Sequence, residues 1–103
     1  MSVDQLFHAL GEPTRLKIVR RLSSGNTFTI TSISQGLSIS RQGARKHLRI
    51  LSAANVISLK QNGRSTGVVL NRATLERAKA FITGLEQEWD ARLMALKKFV
   101  DSE

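Results

Sequence analysis

A mainly α-helical fold with one β-hairpin is predicted, in the order helix, helix, helix, helix, hairpin, helix. Three observations predict it. Apolar residues recur at spacings of three and four through most of the chain. The period breaks in "VISLKQNGRSTGVVL", residues 56–70, where β-branched runs flank Asn62-Gly63. Asn-Gly favours a tight hairpin turn because both residues tolerate positive φ. Finally, 103 residues with no internal repeat, low-complexity tract or linker fit one domain spanning 1–103.

The elements follow in order. Val3, Leu6, Phe7 and Leu10 have helical spacing, giving a first helix over about residues 2–10 that Gly11 ends. Pro13 suits the first position of a second helix, where its missing N–H costs nothing. Leu16, Ile18, Val19 and Leu22 form its apolar face, and Ser23-Ser24-Gly25-Asn26 stops it. Thr29 or Thr31 is placed to cap a short third helix carrying Ile33 and Leu37. Ser40 is a good N-cap for a fourth helix, "RQGARKHLRIL". After the hairpin, residues 72–100 read as one helix about 43 Å long at 1.5 Å per residue. Its apolar line, Leu75, Ala78, Ile82, Leu85 and Trp89, skips at Arg92 and resumes with Leu93, Leu96 and Val100.

Composition narrows the function. The chain has no cysteine, which excludes disulfides and thiolate metal sites and suits a reducing compartment. No secretion signal or stretch of roughly 20 apolar residues is present, so a soluble cytoplasmic protein with no membrane partner is expected. The net charge of +8 is unevenly spread. Residues 13–70 hold ten Lys or Arg and no Asp or Glu, whereas the last helix and tail hold six of each. A long cationic stretch free of anions points to a polyanionic partner. A merely solubilising surface mixes the two signs.

The fourth helix gives that charge a shape. At about 100° per residue, Arg41, Gln42, Arg45, Lys46 and Arg49 share one face. Ala44, Leu48, Leu51 and Ala54 share the other. Four cations and one amide make a continuous band of donors, and Gln42 suits bidentate contact with adenine in a major groove. Ser40 and the helix N-terminus suit a backbone phosphate. The hairpin adds Lys60, Asn62 and Arg64 at or beside its tip. Together these features predict a winged helix-turn-helix that binds double-stranded DNA.

Three stretches in the same order, "LGEPTRLKIVRRL", "ISRQGARKHLRIL" and the hairpin, resemble the ArsR family of winged-helix transcriptional repressors. The resemblance covers nearly the whole chain. The tail "WDARLMALKKF" is similar to a branch without metal-sensing cysteines. It implies a homodimeric repressor that binds a palindromic operator and dimerises through its first and last helices, about 2–10 and 72–100. Phe7, Leu10, Leu85, Trp89, Leu93, Leu96 and Phe99 are the expected dimerisation residues. The alternative for these residues is ordinary monomer core. The sequence departs from the pattern in places. Ser34 and Ser38 stand where a small residue and Gly are common, and Ser38 is strained if its φ is positive. Glu12 replaces the usual Asp before Pro13 and is a poorer cap. Arg45 stands where Ser is frequent, and Val68 and Val69 replace the common wing Tyr.

Neither histidine suggests a metal site. His47 falls on the apolar side of its helix as a packed, hydrogen-bonded residue, and His8 is a surface imidazole. No cofactor, metal or catalytic constellation is expected, and no residue pattern selects a small-molecule effector. The residues alone leave open a winged helix that binds RNA or DNA without sequence preference, and a protein-interaction module.

Overall fold

The computed structural model describes residues 2–102. α1 (Val3–Leu10) buries Leu6 and Ala9 and leans Phe7 and Leu10 on the core. α2 (Pro13–Leu22) starts on Pro13, and Glu12 does cap it: its Oε2 accepts the Arg15 N–H at 2.9 Å. The longer glutamate reaches where an aspartate was expected. The buried line of α2 is Arg15, Ile18 and Leu22, while Leu16 is 43 % exposed. The core-facing stripe is thus turned from the expected one. An arginine occupies one of its places, which an apolar pattern cannot register.

A two-residue strand not anticipated from the sequence, β1 (Phe28–Thr29), comes next. It is too short to carry a period. Thr29 then caps α3 (Ile30–Ser34) through a reciprocal box with Ser32. Leu37 lies beyond the end of α3, not on it as expected, yet is buried. The turn that follows contains Gly36 at φ +81° and Ser38 at φ +54°. Ser40 caps α4 (Arg41–Ala53), its Oγ accepting the Gly43 N–H at 3.0 Å.

Asn55, at φ +58°, turns the chain into the hairpin. β2 (Ile57–Asn62) and β3 (Ser65–Leu70) pair antiparallel from Ile57 opposite Leu70 to Asn62 opposite Ser65. The two-residue loop is therefore Gly63-Arg64, one residue later than the Asn-Gly motif suggested. Of these two, only Gly63 has positive φ, the II′ pattern with glycine first. β1 joins the other side of β3, giving the order β1-β3-β2. Ile18, Ile33, Leu48, Leu51, Val56 and Ile57 form the centre of the core under this small sheet.

α5 (Arg72–Asp101) is an unbroken helix of 30 residues that runs through Gly84. It buries only Thr74 and Ala78 against the body. From residue 85 to 102 every position is exposed. The described chain measures 70 × 25 × 24 Å with a radius of gyration of 18.8 Å. A compact chain of this length has about 13 Å. The excess is the free half of α5. Leu85, Trp89, Leu93, Leu96 and Phe99 therefore do not pack on the first helix within one chain, which removes the monomer-core alternative for these five, whereas Phe7 and Leu10 do lean on the chain's own core. Phe7 meets Phe81 instead, with ring centroids 5.7 Å apart.

Candidate nucleic-acid interface

The helix-turn-helix consists of α3, its turn and α4. α4 has an apolar back, Ala44, Leu48 and Leu51, that buries against the body. That anchoring leaves Arg41, Gln42, Arg45, Lys46 and Arg49 exposed along the front, together with Ser40 at its start. The first turn of α4 has N–H groups without intrahelical acceptors, and Ser40 satisfies one of them. Gly43 keeps this turn open. A Cβ there would sit 3.2 Å from the Ser40 Oγ and press on the cap.

Lys60, Asn62 and Arg64 are exposed on the hairpin, as expected. The Gln61 amide donates to the Gly63 carbonyl at 3.1 Å and braces the tip. Among the described residues, no ion pair involves Arg41, Arg45, Lys46, Arg49, Lys60 or Arg64. These charges are available to an external polyanion. Lys17 and Arg20 on α2 are exposed as well.

Two of the ten cations of residues 13–70 have structural roles that composition did not reveal. Arg15 is 6 % exposed. Its Nε donates to the Ala9 carbonyl at 2.7 Å and its Nη2 to the His8 carbonyl at 3.3 Å. Its Nη1 lies 3.2 Å from His47 Nδ1. One guanidinium thus closes the end of α1 and touches the back of the recognition helix α4. Glu12 completes the group, its carboxylate 3.6 Å from His47 Nδ1. The Arg15 N–H holds the Glu12 carboxyl below its ordinary pKa, with a smaller contribution from nearby His47. His47 is therefore packed and hydrogen-bonded, as the helical wheel implied. Arg21 caps the end of α3, donating to the carbonyls of Ile33 and Gln35 at 2.8 and 2.7 Å. It also lies over the Phe28 ring, 5.3 Å from its centroid. The Pro-Thr-Arg spacing was the only sequence signal for Arg15, and Arg21 had none.

Among the described residues, no three His, Cys, Asp or Glu side chains gather as metal ligands. Among the same residues, no helix is long and apolar enough to cross a membrane.

Comparison with known proteins places this arrangement. A family described as a helix-turn-helix domain matches residues 10–59, the stretch from the end of α1 into β2. The uncharacterized HTH-type transcriptional regulator YuzN of Bacillus subtilis is 33 % identical over 79 residues, covering 71 % of this chain and 86 % of YuzN. The transcriptional repressor SdpR of the same organism is 34 % identical over 74 residues, covering 72 % of this chain and 81 % of SdpR. Among solved structures, an ArsR-like transcriptional regulator from Rhodococcus sp. RHA1 superposes with a TM-score of 0.83 at 29 % identity. That match covers 94 % of this chain and 91 % of the Rhodococcus protein.

Proposed function

Since the chain belongs to the ArsR family of winged helix-turn-helix transcriptional regulators, and so binds DNA and is not an enzyme, we propose that it is a homodimeric repressor. In this reading it recognises a palindromic operator and occludes a promoter, its own among the candidates, in the cytoplasm.

The observation that carries the reading is the unpaired donor face of α4, backed by a buried apolar face and the Arg15–His47 contact. A helix held so firmly presents its side chains in one register to a groove. Arg41, Gln42, Arg45 and Lys46 read base edges or neighbouring phosphates. Ser40 and the first turn of α4 take a phosphate. Arg49, Lys60 and Arg64 hold the backbone, and Asn62 sits with them on the wing. The bare distal half of α5 supports a second copy as partner, with Phe7, Leu10, Leu85, Trp89, Leu93, Leu96 and Phe99 in the dimer layer. Two recognition helices then meet half-sites about one helical turn apart, roughly 34 Å. The repressor sense is supported by the name of the SdpR relative.

The test is a footprint on DNA from upstream of the chain's own gene, with random competitor, at two salt concentrations. The expected result is a protected inverted repeat that survives competitor at physiological salt. Uniform protection of every sequence, lost steeply as salt rises, would overturn sequence-specific repression in favour of non-specific binding.

A further inference from the structure

α1 and the C-terminal end of α4 flank a groove of about 570 Å³, within the size range of small-molecule sites. Its floor is apolar: Ala9 and Ala54 are buried, Ile50 is half-buried, and Ala53 is exposed beside them. Asp4, Gln5 and His8 form the α1 wall. At about 100° per residue, these three lie on the side of α1 turned away from Phe7 and Leu10. Ile50, Ala53 and Ala54 lie about 100° around α4 from the centre of its donor band. The groove thus uses neither the proposed dimer layer nor the face proposed to meet DNA.

We infer that this groove is a binding site for a small organic cation, an ammonium or amidinium on an apolar body, and that its occupant acts on DNA binding through α4. Ligand binding here is independent of the repressor reading, and only the effect on DNA rests on it.

Three observations support it. The first is the placement of Asp4. Asp4 and Glu12 are the only acids in residues 1–75. Glu12 is occupied by the Arg15 N–H and by His47. Asp4 lines the groove, and among the described residues it has no ion pair and no Lys or Arg shares the lining. Hydrogen bonds from the Ser2 side chain and from the backbone N–H groups of Asp4 and Gln5 hold its carboxyl below the ordinary pKa, so it is charged at neutral pH. Second, the C-terminal end of α4 adds partial negative charge to the opposite wall, and its last turn holds no basic residue to answer it. An anion would be repelled from both walls, whereas a cation meets both favourably. The Gln5 amide and His8 imidazole supply hydrogen-bond partners beside Asp4. Third, one guanidinium joins the two walls. Arg15 donates to the carbonyls of His8 and Ala9 on α1 and touches His47 on α4. A ligand wedged between α1 and α4 therefore bears on the helix that carries the donor band, without covering that band.

Two matched probes test this on the full chain, 1-naphthylmethylammonium and the anion 1-naphthoate. Calorimetry should show saturable binding of the cation, and amide NMR shifts should centre on residues 4–9 and 50–54. The anion should bind about fivefold more weakly, the difference a part-exposed charge pair makes. Asp4→Asn should remove that difference, and Ala53→Phe, which fills the groove, should abolish binding of the cation. Both positions are exposed, so loss of folding does not confuse the result. On the DNA that the chain protects, saturating cation should change the affinity of the parent chain by about fivefold or more. The affinity of Ala53→Phe should not respond, which separates action through the groove from competition for phosphates. Absence of saturable binding, equal binding of the anion, or an Asp4→Asn variant that keeps the preference would overturn the site. Shifts confined to α5 would place the probe on its apolar face and overturn the site as well. Binding in the groove with DNA affinity unchanged would remove the effect through α4. A footprint that shows only uniform protection defeats the repressor reading and leaves the calorimetric and NMR outcomes untouched, so the two failures are distinguishable.

Discussion

Ser38 shows what a single residue can cost in the turn between α3 and α4. It holds φ +54°, where a side chain bearing a Cβ crowds the following carbonyl. Its neighbour in the turn, Gly36, takes φ +81° without that cost. No described hydrogen bond uses the Ser38 hydroxyl, so the strain is not offset locally. Ser38→Gly should therefore raise stability by about 0.5–1 kcal/mol, the relief of left-handed strain less the extra entropy glycine brings to the unfolded chain. Thermal melting should show a midpoint a few degrees higher with DNA affinity unchanged. A lower midpoint would mean that the serine is not strained. Arg15 is the opposite case. It is costly to bury but has three acceptors, spread over α1 and α4, that match its planar fork. An ammonium at the same place lacks that fork.

At the scale of elements, the proposed division of work between the recognition helix and the wing is measurable. Gln42 lies in the first turn of α4, the end proposed above to enter a groove. Arg64 sits on the two-residue loop at the hairpin tip, the position proposed above to meet the DNA backbone. Gln42→Ala is expected to cost about 1–3 kcal/mol at one base position and to relax preference there. Arg64→Ala should weaken binding to all sequences alike and reduce the salt slope by about one. Competition assays on an operator and its single-base variants separate the two, and a change of base preference in Arg64→Ala would reverse the assignment. These elements were largely legible in the sequence because each carries a local signal: Ser40 as a cap, the helical period behind Ala44, Leu48 and Leu51, and the Gly63 turn. The shift of the loop to Gly63-Arg64 was not legible, since pairing of Asn62 with Ser65 is decided by the whole ladder. Nor was β1, whose two residues exist only because β3 offers an edge. The burial of Arg15 and the bonding of Arg21 to the end of α3 were hidden for a related reason. A charge count treats every cation as solvated, and only packing shows which ones close helix ends.

For the whole molecule, the separation between body and α5 makes the proposed dimer testable apart from the fold. The core centred on Ile18, Ile33, Leu48, Leu51, Val56 and Ile57 is complete within one chain. The residues from Leu85 onward contribute nothing to it. A substitution on the exposed apolar face of α5 should thus separate folding from the proposed assembly, which is uncommon in small obligate dimers. Leu85→Ser/Leu96→Ser removes two apolar side chains from that face and leaves the winged helix intact. The variant should keep its far-UV spectrum and a cooperative melt, and should sediment as a monomer. Its affinity for one half-site should match that of the parent chain, because α4 and the wing are unchanged. Its affinity for the full inverted repeat should fall by about 10²–10⁴, the gain that linking two modest contacts supplies. The linkage is rigid if each α5 grips the other along its free length, so the full gain is expected only at the natural half-site spacing. Inserting half a helical turn between half-sites should cost the parent chain nearly as much as the two serines do. If the serine variant bound the intact repeat as tightly as the parent, one chain would suffice for recognition, and the apolar face of α5 would have to serve something other than the operator.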